Sequence, residues 1–185
     1  LPNTIILGNT KIGSDCVIGP NTYIKNGTVG NNVVLNNVQL LDSEVEDGTD
    51  CGPFVKIRAG SKVGKGVHIG NFVEVKNSVV GDGTKSAHLT YIGDSDVGKN
   101  VNFGCGTVTV NYDGKNKHRC KIGNHAFIGC NSNLVAPVEI GDYAFTAAGS
   151  TITDEVPENA LSIARARQVN KEDWVLKKKP YKDMK

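Results

Sequence analysis

Aliphatic residues recur at every sixth position along most of the chain. In the clearest run, each group of six residues, or hexad, opens with an aliphatic side chain until Thr146 takes that place. The second position is usually Gly or another small residue, and the fifth is small or β-branched. The aliphatic positions of this run and of its earlier counterparts include Ile12, Ile18, Val33, Val63, Ile69, Val75, Ile92, Val97, Ile122, Ile128, Leu134, Ile140 and Ile152.

This spacing indicates a solenoid. It fits neither a helix, which repeats about every 3.6 residues, nor a long strand, which alternates every two. If each hexad forms one short strand and a turn, three hexads close a triangular coil of about 18 residues, and equivalent side chains stack about 4.8 Å apart in successive coils. The expected fold class is therefore all-β, a parallel β-helix. An ordinary sandwich with Gly-rich turns is the alternative.

Two segments interrupt the repeat, and interruptions of a regular scaffold are common places for chemistry. They are Gly81 to Tyr91, GDGTKSAHLTY, and Val108 to Lys121. The second contains Asn-Tyr-Asp-Gly, a turn signal, and then five basic side chains within seven residues. We therefore expect a protruding loop over residues 108–121. It is either a solvated basic loop or an arm that reaches an anionic ligand over a neighbouring subunit.

The hexads stop after Thr153, which predicts two regions. Residues 1–153 form the β-helical domain, and residues 154–185 form a C-terminal tail. The tail is polar and ends in a lysine-rich stretch, so we expect it to be short and partly helical or irregular.

Composition points to small-molecule partners. Lys plus Arg number 21 and Asp plus Glu number 19 among 185 residues, and a net charge of +2 gives no reason to expect nucleic acid or an anionic membrane. The five cysteines show neither a CxxC pair nor a disulfide-framework spacing, which favours reduced thiols in the cytoplasm. No apolar run approaches the roughly 20 residues of a membrane helix.

Four stretches together resemble the glucosamine-1-phosphate acetyltransferase domain of bifunctional uridylyltransferase/acetyltransferases. One hexapeptide repeat is weak support for any single acyltransferase, but HLTYIGD followed by NYDGxNK is specific. The resemblance covers nearly the whole chain. The four stretches are GPFVKIR ending at Arg58, GNFVEVK ending at Lys76, KSAHLTYIGD ending at Asp94, and VNFGCGTVTVNYDG ending at Gly114.

The resemblance implies a left-handed β-helix that assembles as a homotrimer with its sites at subunit interfaces. The implied reaction is transfer of acetyl from acetyl-CoA to the amine of glucosamine 1-phosphate, on the route to UDP-N-acetylglucosamine and peptidoglycan. The Gly-rich nucleotide loop of the uridylyltransferase half is absent from this chain. We therefore expect no uridylyl transfer and no metal requirement.

The chemistry of the implied reaction agrees with particular residues. An amine attacks a thioester only as the free base, and His88, in the HLTY motif, is the expected base. A sugar phosphate carries about two negative charges and needs cationic donors. Arg58 and Lys76 match the family's phosphate-binding pair, and Lys117 resembles a lysine supplied from another subunit. The alternative for each of these residues is a structural role in a turn or on the surface, without a part in binding or catalysis.

The remaining site residues follow from the same resemblance. Glu74 lies two positions before Lys76, which puts both side chains on one face of a strand. The other expected sugar contacts are Tyr91, Asn102, Asn111 and Tyr112. The positions that match the family's acetyl-CoA groove are Cys105, Cys130, Ala148 and Arg165. Cys130 lies where a serine is often found, and a thiol is the weaker hydrogen-bond donor.

Three other functions are possible on this scaffold. A different hexapeptide acyltransferase, acting on serine or a sugar nucleotide, would lack NYDGKNK beside HLTY. A γ-type carbonic anhydrase would bind zinc through three histidines, and the gaps between the four histidines here do not match that pattern. A purely structural trimerisation module would have no activity.

Overall fold

The structure is a computed structural model that describes residues 1–180. The last five residues of the expected tail, 181–185, lie outside the described part. The regular elements of the described chain are short strands joined by turns, apart from one five-residue helix, α1, at Trp174–Lys178.

The strands are two to four residues long, as hexads predict. In chain order β1 to β26 are Ile5–Leu7, Lys11–Ile12, Val17–Ile18, Tyr23–Lys25, Thr28–Val29, Val34–Leu35, Val38–Leu41, Glu44–Val45, Asp50–Cys51, Val55–Arg58, Lys62–Val63, His68–Asn71, Glu74–Lys76, Val79–Val80, Lys85–His88, Tyr91–Gly93, Ser95–Val97, Asn102–Phe103, Val108–Val110, Cys120–Ile122, Phe127–Ile128, Asn133–Val135, Val138–Ile140, Phe145–Thr146, Thr151–Ile152 and Leu161–Ser162.

Up to β25, strands three places apart along the chain pair in parallel, and β26 pairs with β24, so the strands form three sheets. Sheet A contains β1, β4, β7, β10, β13, β16, β19, β22 and β25; sheet B contains β2, β5, β8, β11, β14, β17, β20 and β23; sheet C contains β3, β6, β9, β12, β15, β18, β21, β24 and β26. The coils wind in the left-handed sense for about nine turns. The predicted all-β, left-handed parallel β-helix is confirmed.

The aliphatic position of each hexad points into the coil, where it stacks on its counterparts. On sheet A the inward column is almost fully buried, with Leu40, Ile57 and Ile92 at 0% exposure. Burying one such side chain stabilises the fold by roughly 1.5–3 kcal/mol. The repeated ladder therefore holds the coils in register along the whole stack.

Close backbone approach explains one of the glycines in the strands. A Cβ on Gly70, in β12, would lie 2.0 Å from the carbonyl oxygen of Ala87 in the next coil. Only Gly fits there, and the pairing of β12 with β15 depends on it.

The corners of the coil bend through left-handed backbone conformations. Most such positions hold Asn, Asp or Gly, the residues that tolerate positive φ most readily. The corner between sheets C and A differs in three successive coils, where Phe54, Phe72 and Leu89 have φ of 60°, 60° and 43°. These three side chains are exposed, and the two Phe rings stack with centroids 5.2 Å apart.

Strand pairing continues past Thr153 into the stretch that we assigned to the tail. Val156 bridges to Ile140, and β26 pairs with β24. Helix α1 lies beyond this last pairing, and none of its residues is buried. The division of the chain after Thr153 into a domain and a tail remains a prediction.

Candidate functional site

A group of charged side chains lies on the outer face of sheet A. Arg58 pairs with Lys76 in the next coil, and Glu74 pairs with Tyr91 in the coil after that. The Arg58 Nη1 donates a hydrogen bond of 2.8 Å to Glu74 Oε1, and this bond raises the pKa of the already basic guanidinium. Because Arg58 is exposed, its guanidinium is accessible to a ligand.

Lys76 is held by a buried carboxylate. Its Nζ donates to Asp94 Oδ2 at 3.0 Å, and the two side chains are only 16% and 5% exposed. Asp94 also accepts hydrogen bonds from the side-chain amides of Asn77, at 2.6 Å, and Asn111. Burial acts to raise the pKa of Asp94, but these hydrogen bonds outweigh it and hold the pKa below its usual value. Burial likewise opposes the charge of Lys76, and the bond to Asp94 raises its pKa.

The segment that follows Asn111 forms a short hairpin. Tyr112 and Lys117 make an antiparallel bridge across it, and the Asp113 carboxylate caps the turn by accepting the N–H groups of Lys115 and Asn116. Those backbone bonds, together with the contact to His118, lower the pKa of Asp113. A turn lies where Asn-Tyr-Asp-Gly indicated one, but the inserted segment is shorter than the expected residues 108–121, because Val108–Val110 is strand β19 and Cys120–Ile122 is strand β20.

The hairpin is an insertion in one coil. Lys99 bonds to Asn124, 25 positions later, whereas corresponding contacts in other coils span 16 to 18. Arg119 fixes its base, because the guanidinium binds both carboxylate oxygens of Asp96 and the carbonyl of Asn77.

The hairpin brings Lys117 close to the charged group on sheet A. The neighbouring Lys76 ammonium lowers the pKa of Lys117, and Arg58 acts in the same direction. Asn111, at the hairpin's start, lies 3.4 Å from the Tyr91 hydroxyl. The structure therefore brings together Arg58, Lys76, Glu74, Tyr91, Asn111 and Lys117, six of the substrate residues predicted from the sequence.

His88 lies at the corner where sheet C passes into sheet A, as the last residue of β15. The same corner position in the three following coils is held by Cys105, Cys130 and Ala148. Backbone bonds link these coils directly, from Asn131 N to Cys105 O and from the residue after Ala148 to Cys130 O, each 2.8 Å. The expected base and three expected cofactor residues thus form one column, which we call the corner column.

The corner column fits a chain of amides and methylenes. Beyond His88 its side chains are small, and the backbone N–H groups of Cys105, Cys130 and Ala148 donate to no acceptor within residues 1–180. Unpaired N–H groups at a surface are ready donors for ligand carbonyls. Arg165 lies at the far end of the column, with its Cδ 3.7 Å from the place where a Cβ on Gly149 would be.

Two predicted substrate residues are less closely connected to the charged group. Asn102 lies on sheet C, where it pairs with Lys85 and Phe127. No described hydrogen bond or ion pair links Asn102 to Arg58 or Lys76. Tyr112 is 55% exposed, and its hydroxyl donates to the Gly114 carbonyl within the hairpin.

The other three histidines have local partners. His68 contacts Asp50 at 2.5 Å, His118 contacts Asp113 at 2.8 Å, and His125 stacks on the ring of Tyr143. Across residues 1–180, no three or more His, Cys, Asp or Glu side chains are grouped in a way that could hold a metal ion. No described helix is long and apolar enough to cross a membrane.

Sequence reasoning missed Asp94 and Arg119. Asp94 was visible as the end of the HLTYIGD motif, where an acidic residue occupies a corner rather than a hexad position. Its role depends on which polar side chains the next coils place around it. Arg119 was included among the basic residues of the loop, and only the fold shows that it binds Asp96.

Two protein families defined by hexapeptide repeats match parts of this chain. The family described as bacterial transferase hexapeptide (six repeats) matches residues 119–154, and the family described as hexapeptide repeat of succinyl-transferase matches residues 9–37. Among solved structures, a UDP-N-acetylglucosamine acyltransferase from Francisella novicida is similar, with a TM-score of 0.59 and 18% identity over 97% of this chain and 73% of that one. At that identity the likeness supports the fold alone.

Curated relatives are much closer in sequence. Proteins named Bifunctional protein GlmU are 60% identical over 94% of this chain in Geobacillus sp. (strain WCH70), 58% over 96% in Acetivibrio thermocellus and 56% over 96% in Clostridium kluyveri. The matched part is 38–39% of each relative's length. The chain therefore spans about two fifths of the relatives that it matches.

Proposed function

We propose that this chain transfers the acetyl group of acetyl-CoA to the amine of glucosamine 1-phosphate. The premise is that the chain belongs to the GlmU family, in which it corresponds to the C-terminal acetyltransferase part. The product is N-acetylglucosamine 1-phosphate, on the route to UDP-N-acetylglucosamine. The observation that carries the proposal is the corner column, which begins at the exposed imidazole of His88, three residues before Tyr91 of the charged group on sheet A, and continues into the later coils.

His88 is the general base. It takes a proton from the substrate ammonium, and the free amine attacks the thioester carbonyl carbon of acetyl-CoA, which supplies the acetyl group and leaves as the CoA thiol. The charge that develops on the carbonyl oxygen needs a fixed donor. The unpaired N–H of Cys105, one coil from His88, is in a suitable place to provide it.

The three cations hold the sugar phosphate. Arg58 offers a planar fork that suits phosphate oxygens, and a dianionic group competes with Glu74 for it. Lys76 is kept charged and in place by Asp94. Lys117, whose pKa is lowered by the neighbouring Lys76, gains most from a phosphate, because that anion relieves the repulsion between two ammonium groups.

Other residues orient the two substrates. Glu74, Tyr91, Asn102, Asn111 and Tyr112 are available to contact sugar hydroxyls and the amine. The unpaired N–H groups of Cys130 and Ala148 suit the carbonyls of the pantetheine chain, and Arg165 suits a CoA phosphate. No metal ion has a role in these steps.

We also propose that three copies of the chain assemble, with each site completed at a subunit interface. The exposed Phe54, Phe72 and Leu89 at the corner of sheets C and A offer an apolar surface beside the charged group. A cytoplasmic location follows from the proposed reaction, because acetyl-CoA and sugar phosphates are intracellular metabolites.

The phosphate contact provides the sharpest test. We expect the enzyme to prefer glucosamine 1-phosphate to glucosamine, and Arg58→Ala to lower kcat/KM for the phosphate roughly 10- to 100-fold while changing turnover of glucosamine little. Lys62→Ala is the matched control, since Lys62 lies on sheet B and pairs with Glu46. Equal losses on both substrates would refute the phosphate role of Arg58. Faster acetylation of serine would favour the rival acyltransferase.

A further inference from the structure

Cys105 and Cys130 are neighbours in the corner column. Strands β18 and β21 pair in register from Asn102 to Phe127 and from Phe103 to Ile128, and continuing that register sets Cys105 against Cys130. The bond from Asn131 N to Cys105 O confirms that the two turns remain in contact. Adjacent strands lie about 4.8 Å apart. Disulfides join residues with Cα separations of about 4.4–6.8 Å, so this pair is within range.

These two thiols are also the accessible ones in the column. Cys130 is exposed and Cys105 is partly exposed. Cys51 and Cys120, in contrast, lie inside the coil, where burial raises the pKa of each thiol, that of Cys120 to about 11. Reactive cysteines are those that a reagent can reach as thiolate, which sets the corner pair apart from the buried pair. Cys16, partly buried, lies several coils away and bonds to the Gly30 carbonyl.

We propose that Cys105 and Cys130 form a reversible disulfide that closes the acetyl-CoA groove when the pool of CoA is oxidised. The inference rests on the proposed function, since that function makes the corner column a CoA-binding groove. A site that binds CoA next to two thiols would also bind the disulfide of CoA, and so bring an oxidant to them.

The exchange needs no other oxidant. The Cys130 thiolate attacks one sulfur of CoA disulfide, one CoA leaves as its thiol, and a mixed disulfide joins Cys130 to the other CoA. The Cys105 thiolate then attacks the Cys130 sulfur, and the second CoA leaves as its thiol. Two protein thiols are oxidised to one disulfide, and one CoA disulfide is reduced to two thiols.

The bridge would stop catalysis for a geometric reason. It ties together the two coils that follow His88, and its sulfur atoms lie on the path between the imidazole and Ala148. Acetyl-CoA would then lose access to the groove and to the backbone N–H groups of Cys105 and Cys130. Reduction by a small thiol would restore them.

The test uses the full chain treated with CoA disulfide, and with glutathione disulfide as the comparison. We expect a mass loss of about 2 Da, a peptide linking Cys105 to Cys130, and a loss of acetyltransferase activity of roughly tenfold or more that dithiothreitol reverses. CoA disulfide should act at lower concentration than glutathione disulfide. Cys130→Ser should keep the activity of its own untreated state. Cys105→Ala should instead retain one CoA as a mixed disulfide on Cys130, with the matching gain in mass and no Cys105–Cys130 linkage. Cys16→Ser should respond like wild type.

The possible results distinguish a failure of the disulfide proposal from a failure of the proposed acetyltransferase function. A reduced protein that shows no acetyl transfer refutes the proposed function, and the mass measurement still reports on the disulfide. An active enzyme in which no Cys105–Cys130 linkage forms, or in which the linkage forms without loss of activity, overturns the inference. Inactivation that persists in both cysteine variants would assign the effect to another residue and overturn it as well.

Discussion

His88 is exposed at the end of β15, so its ring contributes little to the packing of the coil. We therefore expect His88→Ala to keep the circular dichroism spectrum and thermal midpoint of the wild type while lowering kcat by about 10²- to 10⁴-fold, the usual worth of a general base. His68→Ala, on sheet C but paired with Asp50, is the matched control and should keep its activity. Near-full turnover in His88→Ala would remove its assignment as the base.

Asp94 stabilises the site and the fold together. Removing one partner of a buried ion pair costs about 3 kcal/mol at the low end. Lys76 is partly buried and Asp94 is buried, so we expect Asp94→Asn to lower the free energy of unfolding by no more than that order at neutral pH. Asp42→Asn is the matched control, because Asp42 holds the same corner three coils earlier, is exposed and accepts a hydrogen bond from Asn26. Urea denaturation followed by circular dichroism measures both. Equal losses in the two variants would contradict a special role for Asp94.

The difference in unfolding free energy between wild type and Asp94→Asn should also depend on pH and should fall in acid. The pKa of Asp94 is lower in the folded chain than in the unfolded chain, where a carboxyl titrates near 3.9. Its contribution is then fully present above that unfolded value and is lost as the pH falls through the folded pKa. The gap in unfolding free energy between wild type and Asp94→Asn should therefore be constant from about pH 5 to 7 and shrink below about pH 4.

At the level of the elements, the pairing of β12 with β15 supports the strand that carries His88. A Cβ on Gly70 would collide with the Ala87 carbonyl, so we expect Gly70→Ala to lower the free energy of unfolding by roughly 1–3 kcal/mol and to reduce activity by displacing β15. Gly66→Asn is the control. Gly66 has open space and a φ of 59°, and the same corner holds Asn32 and Asn100 at similar angles. If Gly70→Ala changes neither the free energy of unfolding nor the activity, the backbone around Gly70 relaxes easily and the predicted collision is absent.

The strands were predictable because hexads encode them locally. The inward aliphatic residue and the corner Asn or Gly recur in every coil, so period and burial agree along the chain. The hairpin's turn was equally visible in Asn-Tyr-Asp-Gly. Its attachment was not, because the pairing of Arg119 with Asp96 joins positions 23 residues apart, which no local pattern specifies.

For the whole molecule, the sequence specified the parallel β-helix, and the resemblance added its handedness. The corner column could not be derived from either, since it depends on how many residues each coil contains. His88 and Cys105 are one ordinary coil apart, whereas Cys105 and Cys130 are separated by the coil with the inserted hairpin. Only the assembled stack brings these residues into a single line. The grouping of Lys117 with Lys76 depends on the same insertion.

The proposed assembly of three chains is also a prediction about the whole molecule. Light scattering should give a mass three times the 19.7 kDa of one chain. Replacing Phe72 by Asp should lower that mass, because a charge would then enter the apolar corner surface. Val34→Asp, on the outer face of sheet C well before the site, is the control. A wild-type protein that stays a single chain at all concentrations would contradict the proposed interface.

The most direct measurement is release of the CoA thiol from acetyl-CoA in the presence of glucosamine 1-phosphate. We expect one thiol for each N-acetylglucosamine 1-phosphate formed, at a rate that depends on His88, and no release when the amine is already acetylated. If folded protein of the expected mass releases no thiol above the rate of spontaneous hydrolysis, the corner column does not serve acetyl transfer to this amine.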